Sequence, residues 1–245
     1  MKRTFKFFLK HYLKLFTRIT LFIHKPKIIA IAGSTNKNFV KKEIKRRLLE
    51  KGFTVRANPK NFNTEIGLPL AVLNLSSGYN EYSKWIPTLA KAPFTMFEKN
   101  FPDFLILTLG TSDEGDMNYL LSIFKPHISI VTDITQRYRE GFNEMNDLVR
   151  EYETLINRTE KRGAVILNCD NYRVKELGKN TPIKKIFFGF SDDADIKIES
   201  LKKSKTGQNL IIKRDGSYEN FEMKRFGRHH AYAFASAFAL DKEFL

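Results

Sequence analysis

Residues 27–56 alternate between two hydrophobic periods with almost no chain between them. Lys27–Ala32 is a short apolar run closed by Gly33, the signature of a buried strand. Phe39–Lys51 then has helical spacing. Val40, Ile44, Leu48 and Leu49 lie on one side, and Lys41, Lys42, Lys45 and Arg46 on the other. Gly52 ends the helix, and Phe53–Arg56 reads as a second strand. A strand, helix and strand this tightly joined make a right-handed crossover in a parallel sheet.

The rhythm continues. Phe104–Leu109, Ile128–Thr132 and Ala164–Leu167 read as strands, and Met117–Phe124 and Asn143–Asn157 as helices. The expected class is α/β, a mostly parallel doubly wound sheet. Beyond about residue 180 four short strands follow: Lys185–Phe190, Asp195–Leu201, Asn209–Lys213 and Tyr218–Met223. Turns are expected at Asp192-Asp193 and Asp215-Gly216. Ala231–Leu240 is a last helix. A β-rich flank therefore completes one domain over residues 27–245, preceded by a helical arm over residues 1–26 that Pro26 closes.

The segment Gly33-Ser34-Thr35-Asn36-Lys37-Asn38 joins the first strand to its helix. A loop there aims backbone N–H groups and a lysine at phosphates, so Gly33, Ser34, Lys37 and Asn38 are candidate nucleotide contacts. Asn36 stands where close backbone approach favours glycine, and asparagine tolerates a left-handed conformation. Asn168 and Asp170, after a later strand, either contact a nucleotide or form an Asx turn. Asn61, Asn63 and Glu65 either line a substrate face or hold their own loop. Asp113, Glu114 and Asp116, and the pair His229 and His230, are weaker candidates, read more simply as helix-terminal residues.

Charge narrows the partners. The chain carries 42 Lys+Arg against 27 Asp+Glu, net +15, which favours anionic ligands or surfaces. No nucleic-acid motif accompanies the basic residues, so nucleic acid is not expected. The one cysteine, Cys169, excludes an intrachain disulfide framework and fits a reducing cytoplasm. Residues 1–25 hold Lys2, Arg3, Lys6, Lys10, Lys14, Arg18 and Lys25 among many aromatic and aliphatic residues, and no acid. No charge-free run there approaches the roughly 20 residues that span a bilayer. The arm either packs on its own domain or lies at a membrane interface, at the inner face of the membrane if so.

The order of these motifs resembles the central ATPase domain of the Mur ligases, particularly the branch that adds D-alanyl-D-alanine. Asn61-Phe62-Asn63-Thr64-Glu65-Ile66-Gly67-Leu68-Pro69-Leu70 is similar to that branch's Asn-Phe-Asn-Asn-Glu-Ile-Gly-x-Pro-Leu. Leu167-Asn168-Cys169-Asp170 resembles its Leu-Asn-x-Asp turn, and Gly227-Arg228-His229 its Gly-x-His helix start. The resemblance implies ATP as cofactor, peptidoglycan precursor synthesis as the setting, and nucleotide contacts at the residues named above.

The departures carry equal weight. Against the family loop, Gly-Ser/Thr-x-Gly-Lys-Thr/Ser, Asn36 replaces a glycine and Asn38 the hydroxyl ligand of magnesium. By the same alignment Thr108 stands in place of a metal-binding Glu, Tyr138 of a His and Tyr152 of a carbamylated Lys. A phenol stays protonated at neutral pH and is a poor magnesium ligand. The resemblance therefore leaves magnesium without its ligands. It also ends where the family's C-terminal ligase domain would begin, and that domain is not expected in this chain. Three functions stay open: a non-catalytic relative with weak nucleotide binding that works beside a true ligase or other cell-wall protein; a ligase component completed by a partner chain; and a protein of anionic membrane surfaces.

Overall fold

A computed structural model describes residues 3–59, 62–135, 141–142, 144–179 and 181–241. The chain runs α1 (Arg3–His24), β1 (Lys27–Ala32), α2 (Lys37–Glu50), β2 (Val55–Ala57), α3 (Gly67–Val72) and α4 (Tyr82–Lys91). A 3-10 helix (Ala92–Phe97), β3 (Phe104–Thr108), α5 (Asp116–Leu121), β4 (Ile128–Val131), α6 (Met145–Arg158) and β5 (Ala164–Asn168) follow. It ends with α7 (Tyr172–Lys179), β6 (Lys184–Gly189), β7 (Ile196–Lys203), β8 (Gln208–Arg214), β9 (Ser217–Met223) and α8 (Arg228–Asp241). Asn143, the expected first residue of α6, lies outside the described residues.

The nine strands form one sheet in the order β2-β3-β1-β4-β5-β6-β7-β8-β9. From β2 to β7 neighbouring strands are parallel, and β7, β8 and β9 are antiparallel. The class is thus α/β with a mostly parallel doubly wound sheet and a β-rich flank. The reason lies in composition. β1, β3, β4 and β5 are almost continuous apolar runs, which only a sheet covered on both faces can hide. One face packs Leu68, Val72, Met117, Leu120, Leu148, Leu155 and Val174 from α3, α5, α6 and α7. The other packs Val40, Ile44 and Leu48 of α2 with Phe234, Phe238 and the alanines of α8. α8 is apolar nearly all round, as a fully covered helix must be.

Two details differ from the sequence reading. Asp192-Asp193 is not a hairpin corner, because β6 and β7 run parallel through Phe188↔Ile196 and Gly189↔Lys197. Carboxylates hold this crossing: Asp195 accepts the Phe187 N–H at 2.7 Å, and Asp170 accepts those of Phe190 and Ser191, each at 2.8 Å. Asp215 and Gly216, by contrast, have φ of 49° and 79°, a primed two-residue hairpin between β8 and β9. The second difference is α4 and the 3-10 helix, which no sequence period announced. Pro87 lies inside α4, and the helix's anchor is buried Trp85, whose Nε1–H donates to Tyr79 O at 3.0 Å.

α1 covers α3, α4 and the 3-10 helix through Leu9 and Leu13, which meet Leu70, Leu73, Trp85 and Ala92. β1 lies between β3 and β4, and the chain order reverses there. In open α/β sheets the crevice at the carboxyl ends of strands at such a reversal is the ordinary ligand position. The Gly33 loop leaves β1 at that point.

Candidate functional site

The loop has the backbone of a phosphate cradle. Gly33 has φ 138°, and a Cβ there would collide with Thr132 Oγ1. Asn36 has φ 63° and ψ −9°, left-handed, and caps α2 without a side-chain hydrogen bond. Its short amide side chain lets it hold a conformation otherwise left to glycine. Lys37 opens α2, and its ammonium turns back to donate to Gly33 O. Burial lowers its pKa, and the Asp133 carboxylate opposes that shift. Asn38 is exposed on the first turn of α2.

The donors of Ser34 and Thr35 in this cradle already have acceptors. Ser34 N–H donates to Asp133 O at 2.9 Å, and Thr35 N–H to Asp133 Oδ1 at 2.7 Å. Thr35 Oγ1–H donates to Asp133 Oδ2. Ser34 Oγ accepts the Thr135 N–H at 2.9 Å, and Thr132 Oγ1–H donates to Thr35 O at 2.7 Å. A carboxylate from the end of β4 thus sits on the loop as an anionic ligand would. Sequence reasoning did not single out Asp133. The available signal was an acid at a strand end beside a loop built for anions.

Thr108 and Tyr152, the described positions that the resemblance aligns with metal-binding Glu and carbamylated Lys, carry neutral groups. Thr108 is buried at the end of β3, bound by Asn58: Thr108 N–H donates to Asn58 Oδ1 at 2.9 Å, and Asn58 Nδ2–H donates to Thr108 Oγ1 at 2.9 Å. Lys41, one turn beyond Lys37, is also buried and donates to Asn58 O at 2.6 Å. Burial pushes its pKa down to about 8, with Lys42 and Lys45 adding to the shift. Tyr152 is buried on α6, and burial pushes its phenol up to about 12 while hydrogen bonds with Thr111 and Ser34 pull the other way. Its neighbour Glu151 accepts the N–H groups of Gly115 and Met117 at 2.8 and 2.7 Å. Asp116 accepts those of Ser112 and Asp113 at 2.8 and 3.0 Å. Tyr138 lies outside the described residues. Among the described residues no three His, Cys, Asp or Glu side chains cluster as metal ligands. A magnesium ion takes oxygen ligands, carboxylates foremost, and this donor set does not fit it.

The remaining candidates divide. Asn168 belongs to the same strand-end edge: its Nδ2–H donates to Thr132 O at 2.8 Å and its Oδ1 accepts the Asp170 N–H at 3.0 Å, an Asx turn. Asp170 itself faces the β6–β7 crossing and also accepts the Tyr232 hydroxyl at 2.7 Å. Asn63 packs on Gly110 just beyond β3, accepting its N–H at 3.0 Å. Glu65 pairs with Lys6 of α1 at 2.8 Å; burial raises its pKa, but the Lys6 bond, a backbone hydrogen bond and the charges of Lys6 and Lys10 together hold the carboxyl low. Asn61 lies outside the described residues. His229 and His230 pack against Phe39 and against each other in tilted or edge-on contacts at the start of α8. Cys169 is buried, its thiol raised to about 12 by burial.

Comparison with known proteins agrees with this fold. The family model of the Mur ligase middle domain matches residues 31–240. A UDP-N-acetylmuramoyl-tripeptide–D-alanyl-D-alanine ligase of Rickettsia prowazekii is 27% identical over 178 residues, 71% of this chain and 34% of that protein. The chain thus spans about a third of the length of the curated relative it matches. Among solved structures, MurF from Acinetobacter baumannii superposes with TM-score 0.76 at 14% identity, covering 94% of this chain and 46% of that one. MurF ligase from Thermotoga maritima in complex with ADP gives 0.75 at 18% identity, covering 94% and 48%. At these identities the structural matches speak for the fold.

Proposed function

Since this chain belongs to the Mur ligase middle-domain family, we propose that it is a non-catalytic member of that cell-wall precursor family. It keeps the nucleotide loop, binds ATP or ADP weakly and without magnesium, and works beside a complete ligase or another cell-wall protein. One observation carries the reading: the Asp133 carboxylate takes the N–H and hydroxyl of Thr35, and the Lys37 ammonium is turned onto Gly33 O. A nucleotide phosphate must displace a bound carboxylate of like charge, and among the described residues no cluster of metal ligands stands by to offset the repulsion. Phosphoryl transfer relies on such charge neutralisation. The ADP in the Thermotoga maritima relative supports adenine nucleotide as the ligand class.

Calorimetric titration with ATP and ADP, with and without magnesium, tests this on the wild type, Lys37→Ala and Asp133→Asn. Millimolar binding indifferent to magnesium is expected. It weakens in Lys37→Ala and tightens in Asp133→Asn. Tight, magnesium-dependent binding would overturn the proposal and favour a ligase component completed by a partner chain. That alternative predicts product when this chain is mixed with a candidate partner ligase, and none from either alone.

A further inference from the structure

α1 is apolar on both of its faces. Leu9, Leu13, Thr17 and Thr20 are fully buried against the domain. The opposite side carries Phe8, Leu15 and Phe22, exposed by 53%, 53% and 77%. Steps of seven residues return to nearly the same side of a helix, with a drift of about 20° each. These three therefore form one stripe along α1. A helix apolar all round is normally covered. His11, Lys14, Leu15, Arg18, Ile19 and Phe22 line one continuous shallow hollow on this outer side. The 3-10 helix packs on α1 through Thr20 and His24, and leaves Phe94 and Phe97 exposed as well.

Charge selects what covers the stripe. α1 contains no acidic residue. Lys6 pairs with Glu65 and Lys14 donates to Ser122 Oγ at 2.5 Å, whereas Arg18 and Lys25 have no ion pair among the described residues. Aromatic and aliphatic side chains interleaved with unpaired cations match an interface that is anionic at its surface and apolar just beneath it. Long basic side chains can keep their charges at that surface while their stems lie along the apolar layer. Among the described residues no helix is long and apolar enough to cross a membrane. The contact is therefore one of lying on the surface.

We propose that the outer face of α1, with Phe8, Leu15 and Phe22 as the apolar stripe, Arg18 as its cation and Lys25 just beyond its C-terminal end, docks this protein onto an anionic lipid bilayer. The surface is separate from the Gly33 loop, and this inference stands or falls independently of the nucleotide reading. Flotation of the full chain with vesicles of phosphatidylcholine alone, or with phosphatidylglycerol added, tests it. Binding to the anionic vesicles is expected, weakened by salt, and about tenfold weaker on neutral ones. The double variant Leu15→Ser, Phe22→Ser should lose binding by about tenfold or more with its melting transition retained. Arg18→Gln with Lys25→Gln should lose binding to anionic vesicles only. Absence of binding to either vesicle, or binding undiminished in the double variant, would overturn the proposal. So would a wild-type dimer that the double variant dissolves, since a second copy then covers the stripe. Equal binding to soluble polyglutamate would overturn it in favour of an acidic protein partner.

Discussion

The Gly33 loop and the outer face of α1 are opposites. The loop has the shape of a ligand site, yet the polar groups of Thr35 and the Gly33 carbonyl are satisfied from within by Asp133, Thr132 and Lys37. α1 carries no site motif, yet it leaves Leu15 and Phe22 uncovered. A motif fixes the path of the backbone. Whether the donors on that path are free depends on residues about a hundred positions away, and whether an apolar face is free depends on what packs beside it. The loop needs something removed before it can bind, while the helix face lacks only a partner.

The sharpest way to break this contrast uses two leucines on α1. Leu13 is fully buried against Leu70 and Trp85, whereas Leu15 is 53% exposed. Leu13→Ala should cost about 3 kcal/mol, transfer and cavity terms together. Leu15→Ala should stay within about 0.5 kcal/mol. Urea unfolding of both variants measures the difference. Equal losses would mean that Leu15 already has a packing partner and that the open face does not exist.

Next in size is Gly33→Ala. The left-handed φ of 138° and the collision of a Cβ with Thr132 Oγ1 should together destabilise the fold by about 2 kcal/mol. The loop is then a rigid part of the sheet edge. A thermally silent Gly33→Ala would mean that the loop gives way easily, which would undo the picture of a filled, inflexible cradle.

These same residues show how far the sequence was readable. The strands at 27–32, 104–108, 128–131 and 164–168 were legible because burial on both faces demands unbroken apolar runs. Their order in the sheet was not, since β1 and β2, joined by a short crossover, are separated by β3. Asn36 was legible too, since a left-handed position beside Gly33 calls for glycine or asparagine. Asp133 was not, because its role is a contact across the switch point and has no local period. The parallel join of β6 to β7 escaped for a similar reason, being held by the carboxylates of Asp170 and Asp195. α4 escaped because Pro87 breaks the pattern that Trp85 then anchors from outside.

Asp133→Asn sharpens the loop side of the comparison. An asparagine oxygen can still accept the Thr35 N–H, so the loop keeps its shape while losing one negative charge. Removing a like charge at phosphate distance should raise ATP affinity about tenfold, which is about 1.4 kcal/mol. Titration of both proteins at one ionic strength reads it directly. Unchanged affinity would mean that the phosphates do not approach this carboxylate, and that the loop is not where a nucleotide binds.

The smallest effect concerns Lys41, the buried cation at the edge of the same site. Its folded pKa of about 8 lies below its ordinary 10.5, first because of burial and then because of Lys42 and Lys45. For a base held low, the folded state sheds its proton before the unfolded state does. Lys41 therefore destabilises the fold fully below about pH 8, and that penalty fades as pH rises toward 10.5. Lys41→Met removes the penalty along with the bond to Asn58 O. The pH dependence, rather than the offset, is thus the diagnostic quantity. Stability of the variant relative to wild type should fall by on the order of 1 kcal/mol between pH 7.5 and 10.5, less than the full shift because the ammonium retains part of its hydration. Denaturant midpoints across that window measure it. Parallel curves would mean that Lys41 keeps its charge at little cost. The edge of the loop would then be wetter than its hydrogen bonds imply, and the contrast with α1 correspondingly weaker.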